Sequence, residues 1–187
     1  MRRDLADIPG RDADPGRLTD LSAYLEAETE QESTVGGLVL SVGLTNGGDE
    51  AFSMVNPFAM VQFQVRDEHG FPVAIPTPPP EMLIHRPGGE RWTVDDGPLP
   101  VVAVRQNGQS AEPNSLNTDV LDVGANDDYL VSYEIRRIGS GADAGAELPD
   151  GSYTVRCTAT LIDAEQRQTS RILQSEEIAI RFAKRAP

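Results

Sequence analysis

The sequence predicts an all-β chain, folded as a single antiparallel β-sandwich. Short runs of apolar residues alternate with polar ones at period two, from Gly36 to Phe182. The 14 prolines and 17 glycines fall between these runs rather than inside them, as turns between many short strands require. Apolar residues make up only 39% of the chain, which leaves part of it outside the core. That part is expected to be a flexible N-terminal arm at 1–17, a long irregular insertion at 76–118 and a tail at 185–187, around a sandwich at 18–184.

The arm, "MRRDLADIPGRDADPGR", is charged and broken by Pro and Gly. In the next segment Leu18, Leu21, Tyr24 and Leu25 sit at helical spacing, whereas Leu21, Ala23, Leu25, Ala27 and Thr29 alternate. The following run, "GGLVLSVGLTN" from Gly36 to Asn46, is a strand and favours a preceding antiparallel partner. Ala23 to Glu32 is therefore read as a strand, with room for a helical turn before it. "NGGDE" is a turn, and "AFSMV" and "FAMVQFQV" are strands, the second placing Ala59, Val61, Phe63 and Val65 on one face. "RDEHG" closes a hairpin, and Pro72 assigns the return strand to an edge because it lacks a backbone donor.

Periodicity fails from Pro76 to about Thr118, where "PTPPPEM" is stiff and extended and only "PVVAVRQNG" reads as a short strand. It returns with Tyr129, Val131, Tyr133 and Ile135 on one face. After "GSGADAGAE", Asp150 and Gly151 make a turn into Tyr153, Val155, Cys157, Ala159 and Leu161, all expected inward. Ile178, Ile180 and Phe182 close the core.

Three stretches carry a resemblance. "GLVLSVGLTNGGDEAF" is similar to the second strand and turn of many bacterial immunoglobulin-like domains, and "VQFQVRDEHGFPV" to their central hairpin. "LPDGSYTVRCTATL" resembles their penultimate strand, which follows a Pro-Gly-type turn and a tyrosine. Together they resemble the fold of the bacterial intracellular proteinase inhibitor family, and more loosely fibronectin-type modules. The resemblance covers about half the chain and implies an immunoglobulin-like sandwich far more than an activity.

The formal charge of −14 argues against nucleic acid or an anionic membrane as partner. Cys157 is the only cysteine, which excludes an internal disulfide framework and fits a reducing, cytoplasmic setting. No apolar run is long enough to span a bilayer, and the N-terminus lacks the apolar segment of a secretory signal. His69 and His85 have no further ligand at zinc spacing. There is no GxSxG elbow, and the phosphate-loop pattern is absent from "GSGADAG". Asp95, Asp96, Asp119, Asp122, Asp127 and Asp128 lie in acidic turns that could gather oxygen ligands around calcium, although none has EF-hand spacing.

These features point away from catalysis, with no catalytic, cofactor-binding or metal residue assigned and no cofactor expected. The expected function is that of a non-enzymatic protein-binding or assembly-subunit module. Its partner is another protein, with self-association through the N-terminal arm as one form. Met82, Leu83 and Trp92 in the insertion are the expected contact residues, because exposed aromatic and apolar anchors dominate interfaces. Two alternatives are an intracellular proteinase inhibitor, presenting the stiff "IPTPPPEML", and a calcium-binding sandwich using the acidic loops.

Overall fold

A computed structural model describes residues 1–8, 16–33, 37–75, 101–112, 118–137, 146–166 and 169–184. The all-β expectation holds: these residues form fourteen strands and two short 3-10 turns. In chain order the strands are β1 (Arg2–Asp7), β2 (Leu21–Glu26), β3 (Glu30–Ser33), β4 (Leu38–Asn46), β5 (Phe52–Val55), β6 (Gln62–Arg66) and β7 (Pro72–Val73). They continue as β8 (Val101–Gln106), β9 (Gln109–Ala111), β10 (Val120–Val123), β11 (Asp128–Ile135), β12 (Gly151–Asp163), β13 (Ser170–Ser175) and β14 (Ile178–Lys184).

Hydrogen bonds connect them along one path, β10-β5-β12-β13-β1-β2-β4-β11-β8-β9, with β14, β3, β6 and β7 branching from it. β1 is the junction between two sheets. Arg2, Arg3 and Asp4 pair with β2, and Leu5, Ala6 and Asp7 pair with β13. On one side lies a β4 sheet of β2, β4, β11, β8 and β9; on the other lies a β12 sheet of the remaining strands.

The inward faces of the two sheets share one apolar cluster. Phe63 of β6 meets Tyr133 of β11 edge-on at 5.5 Å between ring centroids, and the Tyr133 hydroxyl donates to the Phe58 carbonyl at 2.8 Å. The long strand β12 organises its sheet. Tyr153, Val155, Cys157, Ala159 and Leu161 are all buried, as their alternation predicts, while Thr154, Arg156, Thr158, Thr160 and Ile162 face outward. One edge of β12 carries β14 and then β13, interrupted at Glu176–Glu177. At that break the Cys157 N–H donates to the Ser175 hydroxyl at 2.9 Å, so a buried backbone donor keeps a partner where the ladder fails.

Several expectations are corrected. The N-terminal residues are not an arm throughout: Arg2–Asp7 is a strand because it satisfies open edges of both sheets, although only Leu5 of its side chains is buried. Residues 9–15 lie outside the described residues. The strand expected over Ala23–Glu32 is two strands, since β2 joins β4 while β3 crosses over and pairs in parallel with β14. That pair makes the sheet mixed rather than purely antiparallel. Pro57–Met60 is a 3-10 turn where a strand face was expected; Asn56 caps it by accepting from the Phe58 N–H.

Within the supposed irregular insertion, Val101–Gln106 and Gln109–Ala111 form a regular hairpin. Asn107 and Gly108 both have positive φ, 52° and 77°, as a two-residue hairpin turn demands. Residues 76–100, 113–117 and the tail at 185–187 lie outside the described residues.

Candidate functional site

The chemically capable side chains serve the fold. Asp67 accepts from the backbone N–H groups of His69 and Phe71, at 2.9 and 2.8 Å, which shapes the "DEHG" turn. His69 is exposed on that turn, 3.6 Å from Glu68. Cys157 is fully buried, and burial pushes its thiol well above the ordinary range, so it is not a poised nucleophile. His85 lies outside the described residues, as do Met82, Leu83 and Trp92.

The acidic loops are likewise engaged. Asp127 accepts from the Gly124 N–H and from the Asn107 side chain; Asp128 accepts from the Thr45 hydroxyl and Asp122 from that of Ser53. Asp119 supplies its backbone carbonyl to the Asn56 N–H. Among the described residues no three His, Cys, Asp or Glu side chains converge as metal ligands. Asp95 and Asp96 lie outside the described residues. Asn46, buried between these loops, donates to the carbonyls of Glu50 and Gly124, both at 2.9 Å, and accepts from the Gly48 N–H. It fixes the loop end of the molecule from within.

The outward faces of the two sheets differ. On the β4 sheet, Gly43 stands directly beneath Tyr24, whose ring is covered in turn by the Arg2 guanidinium at 3.5 Å from its centroid. Ser41 and Ser132 share a hydrogen bond at 2.8 Å in the next row. Small and polar groups line these two rows, while Val39 and Val102 of the same sheet are 36% and 44% exposed.

On the β12 sheet the outward apolar residues adjoin one another. Val120, Val55 and Ile162 are consecutive partners across β10, β5 and β12. Thr160 and Ile172 are partners in the adjacent row, and Ile8 continues it by donating its backbone N–H to the Ile172 carbonyl. The patch therefore crosses five strands, about 20 Å at ordinary strand spacing. Val120 is 39% exposed and the other four apolar residues are half-buried. Arg171, between Ser170 and Ile172, turns the other way and grips Asp7 and the carbonyls of Leu18 and Leu21.

Sequence reasoning missed this surface because its residues come from five separate segments. Val55 read there as an ordinary strand residue, and Val120 lay between acidic-turn residues.

No protein-family model matches the chain, and no curated protein or solved structure is detectably similar to it. Among the described residues no helix is long and apolar enough to cross a membrane.

Proposed function

We propose that this chain is a non-enzymatic protein-binding module of immunoglobulin-like fold, acting as a subunit of an assembly. Three features support the fold reading. The order β2-β4-β11-β8 in one sheet, with β12 flanked by β13–β14 and β5–β6 in the other, follows the immunoglobulin arrangement of four strands against a second sheet. β3 leaves the first sheet to pair in parallel with β14. The Tyr153 hydroxyl donates to the Pro149 carbonyl at 2.6 Å, the tyrosine-corner contact at the start of the penultimate strand of that fold.

The observation that carries the binding reading is the outward apolar patch of Ile8, Val55, Val120, Ile162 and Ile172. Branched aliphatic side chains on a solvent-facing sheet surface contribute little to the core and much to a contact. Met82, Leu83 and Trp92 remain in this reading as anchors beyond the described residues. Cytoplasmic residence is retained, because a single unpaired thiol persists most readily in a reducing compartment.

The test is parallel native capture with the wild-type protein and the Val120→Ser/Ile162→Ser variant, followed by mass spectrometry. The reading expects the folded variant to lose partners that the wild type retains. Identical partner sets would overturn it.

A further inference from the structure

We infer that the outward patch of the β12 sheet docks a basic protein segment, one that carries apolar side chains beside lysine or arginine. The inference rests on the protein-binding reading above and names the partner's chemistry.

Charge around an apolar centre sets the partner's chemistry. The two rows that form the patch hold only Ile8, Val55, Val120, Ile162 and Ile172 with Thr160 and Ser170. Among the described residues no cation stands in them. Asp119 and Asp122 flank Val120 along β10, and Asp122 shares its outward face. Glu165 is exposed in the loop that follows Ile162. Arg171, the cation nearest in sequence to Ile172, is committed to Asp7 and to two carbonyls on the opposite face. The rim is thus acidic on the side where the patch is most open.

A second copy of this chain fits poorly, since each copy carries a formal charge of −14 and would bring carboxylates against carboxylates. An anionic membrane surface is disfavoured for the same reason. A cationic partner gains from the rim and from the overall charge, which steer its approach, while the aliphatic centre supplies the area that water leaves. The edge strand β10 adds a limit: the Tyr129 hydroxyl donates to the Asp122 carbonyl at 3.2 Å, which occupies a backbone acceptor there. Docking therefore uses the face of the sheet rather than strand addition at β10.

The probe is a synthetic peptide of alternating leucine and lysine, added to isotope-labelled protein while isoleucine and valine methyl resonances are recorded. The expected result is perturbation of Ile8, Val55, Val120, Ile162 and Ile172 ahead of Val39 and Val102 on the β4 sheet. Binding should weaken roughly tenfold or more in Val120→Ser/Ile162→Ser and stay unchanged in Val102→Ser, the scale expected for central contact residues. Val120→Ser alone, at an exposed position, is the variant least able to disturb folding and should weaken binding in the same direction. Asp119→Asn/Asp122→Asn should reduce the salt dependence of binding.

Shifts centred on Val39 and Val102, or an affinity indifferent to Val120, would overturn the inference. So would equal binding by an alternating leucine–glutamate peptide. If the basic peptide ignores the patch while native capture still depends on Val120 and Ile162, the partner chemistry is wrong and the contact reading stands. If neither depends on them, both readings fail.

Discussion

The Tyr153 hydroxyl donates to the carbonyl oxygen of Pro149, four residues upstream, at 2.6 Å. The bond closes the "LPDGSY" turn and fixes where β12 begins, and thereby which of its side chains face inward. Tyr153→Phe should lower stability by about 1–3 kcal/mol, because the partly buried carbonyl loses its donor while the ring still packs. Denaturant unfolding measures the difference.

Burial, reinforced by the negative charges of Asp150, Asp67 and Glu68, pushes the Tyr153 hydroxyl up to about 12. Its folded value is thus above the unfolded value of about 10. The stability it contributes is complete below pH ~10 and is lost as pH rises through the folded value near 12. In Tyr153→Phe this part of the alkaline decline should disappear, as measured by unfolding across that range.

Asp7 and Arg171 form a bidentate pair, with both N–O distances 2.9 Å. Hydrogen bonding from Arg171 holds the Asp7 carboxyl below its usual range. The sign is therefore the reverse of the tyrosine case: the contribution is present above the unfolded value of about 3.9 and is lost as pH falls through the lower folded value. Because the Asp7 side chain is 64% exposed, Asp7→Asn should cost under about 1 kcal/mol. Arg171→Met should cost more, about 2–3 kcal/mol, since the carbonyls of Leu18 and Leu21 lose their donor as well. Acid titration of unfolding in both variants checks the order.

Gly43 is required by close approach rather than by its backbone angles. A Cβ at this position would lie 2.0 Å from Cζ of Tyr24. Gly43→Ala should displace the ring, expose it and break its stack with Arg2, at a cost of about 1–3 kcal/mol. Thermal unfolding and tyrosine fluorescence together report the loss and the exposure.

The fold was most legible where inward and outward chemistry differ along one strand. Tyr153 to Leu161 alternate with Thr and Arg, so both the strand and its buried face could be read directly. β1 could not, because Arg2–Asp7 buries only Leu5 and is held by backbone edges that other segments supply. β3 was obscured for the same reason: Glu30–Ser33 has no apolar side chain, and its parallel partner lies some 150 residues on. The patch was the least legible feature. Ile162 lies just past the alternating run read up to Leu161, Ile172 falls in a segment to which the sequence assigned no strand, and only the register of β12 with β13 and β5 brings them together facing outward.

Thiol counting in native Thr160→Cys tests the central claim most directly, that one strand buries Cys157 and presents the patch on its reverse. Position 160 lies three residues along β12 from Cys157 and so on the opposite face, beside Ile172. The wild-type protein should show no rapidly reacting thiol, and Thr160→Cys should show one, which the leucine–lysine peptide then protects. Rapid labelling of Cys157 in the wild type, or no fast thiol in Thr160→Cys while it remains folded, would contradict the account.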